Sequence, residues 1–248
     1  MSGVLWKALI LVAGTVLISY AASAADETPF RIALFSAVVT PPLGHPLLGG
    51  TTTPPPAHAI DDPLSAKGLV LLGGEQPIVL VSIDWCEIRN DAFDRWRDVL
   101  AAAAGTNREC VLVTAIHQHD APLADLEAQR ILNRSPLGGT IIDFDYHERC
   151  VQKTAEALQA GLKAARRVTH FGTSQAKVEK IASNRRYLDA RGQPHFDRSS
   201  MSGGDKLKAD APEGEIDPFL KTLSFWDGDV PVCGLHVYSV HPMGRWGS

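Results

Sequence analysis

Apolar and polar positions follow one another along the chain in blocks whose spacing predicts alternating strands and helices. Short apolar runs bounded by Gly, Pro, Asn or Asp are typical of strands in a buried sheet. The runs that fit this pattern cover residues 30–39, 69–72, 78–84, 111–116, 168–181, 219–226 and 230–240. Turn residues at 73–75 and 227–229 join neighbouring runs, which predicts two pairs of strands connected by tight turns.

Two other stretches repeat their apolar residues at helical spacing. Residues 91–104 follow a cap residue, Asn90, and end before Gly105, as helices commonly do. A capping box at residues 145–148 predicts the start of a longer helix. The apolar face of that helix carries Val151, Ala155, Leu158, Leu162 and Ala165.

The first of these helices lies between two predicted strands, 78–84 and 111–116. A strand, a helix and a strand in this order form a βαβ crossover, which makes the two strands parallel. We therefore predict an α/β fold in residues 25–248: a mixed sheet with a βαβ crossover and flanking helices. Asp84 and His117 would then lie at the same carboxyl edge of the sheet, although Asp84 could equally cap the following turn.

Histidines stand at the ends of two apolar runs. If the chain stays extended between His117 and His119, a period of two puts both rings on one face, where they suit a metal ion or a proton-transfer site. The alternative is that each ring caps a backbone group at an ordinary strand end. His241 closes the run at 230–240 in the same way, so we expect its ring beside His117 if the two strands run parallel in one sheet.

Two segments have the composition of loops. Residues 43–62 are rich in Pro and Gly, and His45 and His58 within them are predicted to be solvated. Residues 189–214 are polar and are predicted to form a surface loop or lid.

Composition and charge narrow the function classes. The 248 residues are 45% hydrophobic and 21% charged, which is typical of a globular protein. The net charge of −4 gives no basic field, so no nucleic-acid partner is expected. The 4 cysteines show no Cys-x-x-Cys spacing, so we predict free, buried cysteines and no zinc site made of thiolates.

The amino terminus has the composition of a secretory signal. Lys7 precedes an uncharged apolar run at residues 8–20, and three small residues at 22–24 form a cleavage site. We therefore expect residues 1–24 to be a signal peptide and the mature protein to be secreted or periplasmic. The alternative is an N-terminal membrane anchor. Membrane contact stays open, because the sequence shows no amphipathic docking helix.

Several segments together resemble the N-terminal catalytic domain of the neutral/alkaline ceramidase family and its secreted bacterial relatives. The segments cover most of the chain from Ile32 onwards. Residues 36–50 resemble the family's opening strand and proline-glycine loop, and residues 62–70 and 81–84 resemble its next strands. Thr114-Ala-Ile-His-Gln-His-Asp-Ala-Pro122 is similar to the family's Thr-His-x-His-Ser-Gly-Pro motif. Val237-Tyr-Ser-Val-His-Pro-Met243 is similar to its second histidine motif.

The resemblance implies a zinc-dependent hydrolase that cleaves N-acyl amide bonds in a lipid or small-molecule substrate. In the family, the first histidine of the pair and the later strand-end histidine bind zinc, which implies His117 and His241 as metal ligands. The second histidine of the pair lines the pocket, which implies His119 as the catalytic residue.

The sequence departs from the family pattern in two ways. Asp120 and Ala121 replace a Ser-Gly pair, and the family's remaining zinc ligands and a serine lie further along than Ser248. We therefore expect a domain that is incomplete at its C-terminus, with a third ligand supplied by Asp84, by Asp120, by a residue after 248 or by no residue at all. The alternative function is a non-catalytic exported domain, or an inactive fragment, whose histidines are structural.

Overall fold

The structure, a computed structural model, describes residues 29–48, 56–199 and 202–241. The predicted signal peptide at residues 1–24 lies outside the described residues, and so do Gly49, Gly50, Pro242 and Met243 of the ceramidase-like segments. Within the described ranges, no helix combines the length and the hydropathy that a membrane span requires.

Each apolar run identified in the sequence contains a strand. The described strands are β1 (Arg31–Val38), β2 (Ser65–Leu72), β3 (Ile78–Ile83), β4 (Glu87–Ile88), β5 (Val111–Ala115), β6 (Leu123–Ala124), β7 (Arg166–Arg167), β8 (His170–Lys177), β9 (Tyr187–Leu188), β10 (Pro194–His195), β11 (Phe219–Asp227) and β12 (Val230–Val237). The described helices are α1 (Asn90–Ala104), α2 (Leu126–Arg134), α3 (Phe144–Lys163) and α4 (Lys206–Asp210), with short 3-10 turns at Arg108–Cys110 and Ser202–Gly204.

Five strands form a mixed sheet in the order β5-β3-β2-β1-β7. β2 runs antiparallel to both β1 and β3, whereas β3 and β5 pair in parallel from Val79 opposite Val111 to Ile83 opposite Ala115. Helix α1 connects the parallel pair. The predicted βαβ crossover and the mixed α/β sheet are therefore confirmed.

A second, antiparallel sheet contains β8, β11 and β12, with β11 in the middle. The hairpin predicted at residues 227–229 joins β11 to β12 and is confirmed. The two sheets meet through a small apolar cluster made of Ile32, Leu69, Val168, Phe225 and Val232.

The main core lies between the five-stranded sheet and helices α1 and α3. Trp85, Trp96 and Leu158 are fully buried there, and the two indole rings meet edge to face with their centroids 5.6 Å apart. Helix α3 approaches β1 so closely that a Cβ atom on Gly161 would lie 2.4 Å from the carbonyl oxygen of Leu34. Glycine is required at this position because any larger residue would overlap the strand backbone.

Both main helices begin differently from the prediction. Asp143, not Asp145, is the N-cap of α3, and its Oδ1 accepts a hydrogen bond from the backbone N–H of Tyr146 at 2.6 Å. Asn90 does not cap α1: its φ is 49°, and its amide donates to Asp125 at 2.8 Å. At α3 two nearby aspartates could serve as the cap, whereas Arg89 is the N-cap of α1 and makes no side-chain hydrogen bond there.

The polar segment at 189–214 is organised around a buried arginine. The Arg198 side chain, 7% exposed, donates to the backbone carbonyls of Asn184, Lys208, Ala211 and Pro212. The planar guanidinium can satisfy several carbonyls at once because its donors point outward in a fork. The segment predicted to form a surface loop or lid therefore has ordered structure, and it contains β10 and helix α4.

Candidate metal centre

The chain turns sharply after β5. His117 and Asp120 have φ values of 62° and 53°, in the left-handed region that residues with a Cβ rarely adopt. This conformation costs about 1–2 kcal/mol per residue. The expectation of an extended chain from His117 to His119 was therefore wrong, since the backbone leaves the extended conformation at His117.

Neighbouring segments hold this turn on both sides. Leu48 pairs with Ala121 in an antiparallel bridge, and β4 pairs in parallel with β6. The backbone N–H of Cys86 donates to the carbonyl of Pro122 at 2.9 Å. Strained backbone that is held in this way is concentrated at functional sites, so the turn is a candidate for one.

Three imidazole rings meet beside the turn, those of His117, His119 and His241. One nitrogen from each ring lies within 4.8 Å of the others. The ring centroids are 5.3 Å apart for His117 and His119, 5.0 Å for His117 and His241, and 4.6 Å for His119 and His241. The structure thus brings His117 and His241 together and adds His119 to the same cluster.

His241 reaches the cluster from the other sheet. β12 ends at Val237 and pairs antiparallel with β11, so it does not share a sheet with β5. The expectation that His117 and His241 follow parallel strands of one sheet was therefore wrong. Residues 238–241 carry the His241 ring across to the edge where β5 ends, and Nε2 of His241 lies 2.8 Å from Nε2 of His119.

The surroundings of His119 and His241 favour neutral rings. Burial lowers the pKa of His119, the positive charges that His117 and Arg185 can carry lower it further, and Asp120 partly opposes them. Burial also lowers the pKa of His241, and the other two histidines and Arg185 act in the same direction. A neutral imidazole offers a lone pair to a metal ion, whereas a protonated one does not.

Cys86 and Glu87 lie behind His117, and sequence reasoning missed both. The Sγ atom of Cys86 is 3.7 Å from Nδ1 of His117, and Oε1 of Glu87 is 3.9 Å from the same nitrogen. Burial, with a smaller contribution from Glu87, raises the pKa of the Cys86 thiol to about 11. The sequence contained a signal for both residues. They come shortly after the strand predicted at residues 78–84, whose carboxyl end was expected at this edge of the sheet.

The two aspartates proposed as alternative ligands have different environments. Oδ2 of Asp84 accepts hydrogen bonds from the backbone N–H of Ser65 at 2.8 Å and from its hydroxyl at 2.6 Å. Asp120 acts on His119 through its charge. Neither aspartate belongs to the groups of possible metal ligands found among the described residues.

His45 is buried rather than solvated, so the prediction for this residue was wrong. Its side chain is 4% exposed, Nδ1 donates to the carbonyl of Pro46 at 2.7 Å, and Nε2 accepts from the backbone N–H of Asp143 at 3.3 Å. Both ring nitrogens are thus engaged, and the ring joins the proline-rich loop to the start of α3.

No family model matches the chain, and no curated protein matches it. Solved structures with the same fold do exist. A ceramidase complexed with C2 is 18% identical, with a TM-score of 0.59, and the match covers 86% of this chain and 31% of that one. The neutral ceramidase from Pseudomonas aeruginosa is 17% identical, with a TM-score of 0.62, and the match covers 86% of this chain and 32% of that one.

These matches concern the fold, since fewer than one residue in five is identical. The matched region is 31% to 32% of the length of each ceramidase chain. The described chain therefore has the fold of one part of these ceramidases, with a cluster of three histidines at the edge of its mixed sheet.

Proposed function

We propose that the chain holds a zinc ion at His117, His119 and His241 and hydrolyses N-acyl amide bonds, as a ceramidase does. The observation that carries this proposal is the convergence of three imidazole nitrogens within 4.8 Å of one another. The second support is the likeness of the fold to that of ceramidases.

The three side chains fit zinc in chemistry and in spacing. Three histidines are a known ligand set for catalytic zinc, which leaves a fourth position for water or substrate. Two nitrogens at about 2.0–2.1 Å from one tetrahedral ion lie about 3.4 Å apart. The Nε2 atoms of His119 and His241, 2.8 Å apart, need only a small separation to reach that distance.

Bound zinc supplies a Lewis acid that polarises an amide carbonyl and lowers the pKa of water from 15.7 to about 7. The protein supplies the ligands and the access to them. Cys86 and Glu87 face Nδ1 of His117, so Nε2 of the same ring is left to bind the ion. His241 is exposed and His117 is partly exposed, so an amide substrate can approach from solvent on that side, while buried His119 forms the inner wall.

Zinc binding by the full chain tests the proposal, with calorimetry and metal analysis as readouts. We expect the His117→Ala, His241→Ala double variant to lose zinc and to lose hydrolysis of a fluorogenic N-acyl amide. The matched control is His170→Ala, His236→Ala, which removes two exposed histidines from the three-stranded sheet. Equal zinc uptake by both double variants would contradict the proposed centre.

His119→Ala separates two roles for the inner ring. As a ligand, His119 should be needed for tight zinc binding, so the variant should bind zinc more weakly. A variant that binds zinc as tightly as the wild type but no longer hydrolyses the amide would leave ligation to His117 and His241. His119 would then have the pocket-lining role that the ceramidase resemblance implies.

A structural role for the histidines is the second candidate, because the 2.8 Å contact between His119 and His241 joins two segments without a metal. In that case the wild-type chain would take up no zinc, and its thermal stability would fall when either ring is removed. Zinc-dependent hydrolysis by the wild type would exclude this candidate.

We also propose that the protein is exported and that residues 1–24 are removed. The support is the basic residue, apolar run and small-residue cleavage site of that segment. The intact mass of protein collected from the periplasm or the medium measures this directly. A mature species that retains Met1 would contradict cleavage.

A further inference from the structure

A second group of possible metal ligands meets at the other nitrogen of His117. Sγ of Cys86, a carboxylate oxygen of Glu87 and a ring nitrogen of His117 lie within 4.8 Å of one another. Cys86 and Glu87 precede and open β4, and the pairing of β4 with β6 fixes them against the strained turn that carries His117. The group therefore rests on ordered backbone from two segments.

The spacing suits one shared cation. A sulfur at about 2.3 Å and a nitrogen at about 2.0–2.1 Å from a tetrahedral ion lie about 3.6 Å apart. The Cys86 Sγ to His117 Nδ1 distance is 3.7 Å. Oε1 of Glu87 is 3.9 Å from the same nitrogen, and its other oxygen pairs with Arg89. A small rotation of the Glu87 side chain would complete a three-ligand set.

We propose that Cys86, Glu87 and His117 bind a thiophilic cation, such as Cd²⁺, and that this site competes with the three-histidine centre for His117. Thiolate is a soft ligand and selects soft metals over Mg²⁺ or Ca²⁺. On binding, the S–H bond of Cys86 breaks, a sulfur–metal bond forms, and the proton passes to solvent.

The competition follows from the chemistry of one imidazole ring. A neutral imidazole has one nitrogen with a lone pair, and the other nitrogen carries the proton. If Nδ1 binds the thiophilic cation, Nε2 keeps its proton and cannot bind a second ion. This half of the inference rests on the proposed function, whereas the binding of the cation itself does not.

The site is reachable although its sulfur is buried. Cys86 is 2% exposed, but the side chains of His117 and Glu87 keep 42% and 23% of their surface open to solvent. A small cation can therefore enter between the imidazole and the carboxylate and reach the sulfur from that side.

Cadmium titration of the full chain tests the site, read by the thiolate-to-cadmium absorption band and by ¹¹³Cd NMR. We expect Cys86→Ala to weaken cadmium binding by at least the roughly 10-fold that loss of a supporting residue costs at metal sites. The matched control is Cys110→Ala, since Cys110 is half-buried and its thiol contacts Gln76 instead. Equal binding by the two variants would overturn the site.

Two further variants keep the cadmium test valid if Cys86→Ala does not fold or if the three-histidine centre does not bind zinc. Glu87→Gln keeps the buried sulfur and should also weaken cadmium binding, so it tests the site if Cys86→Ala does not fold. His241→Ala should weaken zinc binding but keep the cadmium band, because His241 belongs only to the other cluster. Loss of the band in His241→Ala would overturn the separation of the two sites. Undiminished zinc uptake by cadmium-loaded wild type would overturn the competition.

Discussion

The five-stranded sheet and the three-stranded sheet both contribute to the histidine cluster, but they are buried to very different degrees. In β3, alternate residues are buried, and helices α1 and α3 cover that face. In β8, none of the eight residues is buried. His117 and His119 follow the well-packed sheet, whereas His241 follows the open one. The site therefore joins a rigid half, which fixes two rings in a strained turn, to a half with little packing of its own.

The largest predicted change in unfolding free energy compares a buried side chain of the five-stranded sheet with an exposed side chain of the three-stranded sheet. Phe35 in β1 is 6% exposed and Phe171 in β8 is 65% exposed. We expect Phe35→Ala to lower the free energy of unfolding by about 4 kcal/mol, since it leaves a cavity in the core. Phe171→Ala should change it by less than about 0.5 kcal/mol. Urea unfolding followed by tryptophan fluorescence measures both, and equal losses would remove the distinction between the sheets.

The packed region should also make stability depend on pH. His147 on α3 is 1% exposed, and burial lowers its pKa to about 4 from 6.5. Acid protonates this histidine first in the unfolded chain, so its contribution to stability is complete above pH 6.5, is lost as the pH drops towards 4, and changes no further below that. The expected loss is about 3 kcal/mol. Unfolding free energies across this range should have a smaller slope in His147→Phe than in the wild type, because His119 and His241 keep their own lowered pKa values. An unchanged slope would contradict the assignment.

A smaller effect should arise where α3 meets β1. Alanine at Gly161 places a Cβ atom 2.4 Å from the carbonyl oxygen of Leu34. Overpacking at its upper limit costs about 3 kcal/mol, and the higher helix propensity of alanine returns about 1 kcal/mol, which leaves a loss of about 2 kcal/mol. Gly74→Ala, with no atom within 4 Å of the new Cβ, is the control for chemical denaturation. Indistinguishable midpoints would show that the helix can shift at no cost.

The smallest effect concerns the strained turn itself. Because φ at His117 is 62°, His117→Gly should be more stable than His117→Ala by about 1 kcal/mol. The same pair at Gln118, which is not among the positive-φ residues described, should show the opposite order. The thermal unfolding midpoints of the four variants measure these differences in stability. If alanine is the more stable residue at both positions, the turn stores no strain.

The parts of the fold that depend on local pattern could be predicted from the sequence. The apolar runs at residues 78–84 and 111–116 and the helix between them were enough to predict parallel β3 and β5. The partnership of His117 and His241 was expected, but for a reason that the topology contradicts, since β12 lies in another sheet. Pairing between distant segments is decided by tertiary packing, which no local window contains.

The site was harder to predict than the fold because its geometry depends on unusual backbone. The left-handed conformation of His117 could not be assigned from the sequence, because such conformations are uncommon for every residue except glycine, even though Asn, Asp and His adopt them more often than other residues do. Burial of His45 and Arg198 was missed for a related reason. Composition marked their segments as loops, and only the folded chain shows that each side chain satisfies several backbone groups.

The contact between His119 and His241 also closes a very long loop in the chain. The two residues are 122 positions apart, and their Nε2 atoms are 2.8 Å apart. Bringing together the ends of a flexible segment of this length costs about 4 kcal/mol of chain entropy. This contact is not covalent, so unlike a disulfide it breaks on unfolding and does not restrict the unfolded chain. The entropy lost in closing the loop must therefore be offset by packing within the folded protein, whose described cysteines are all free.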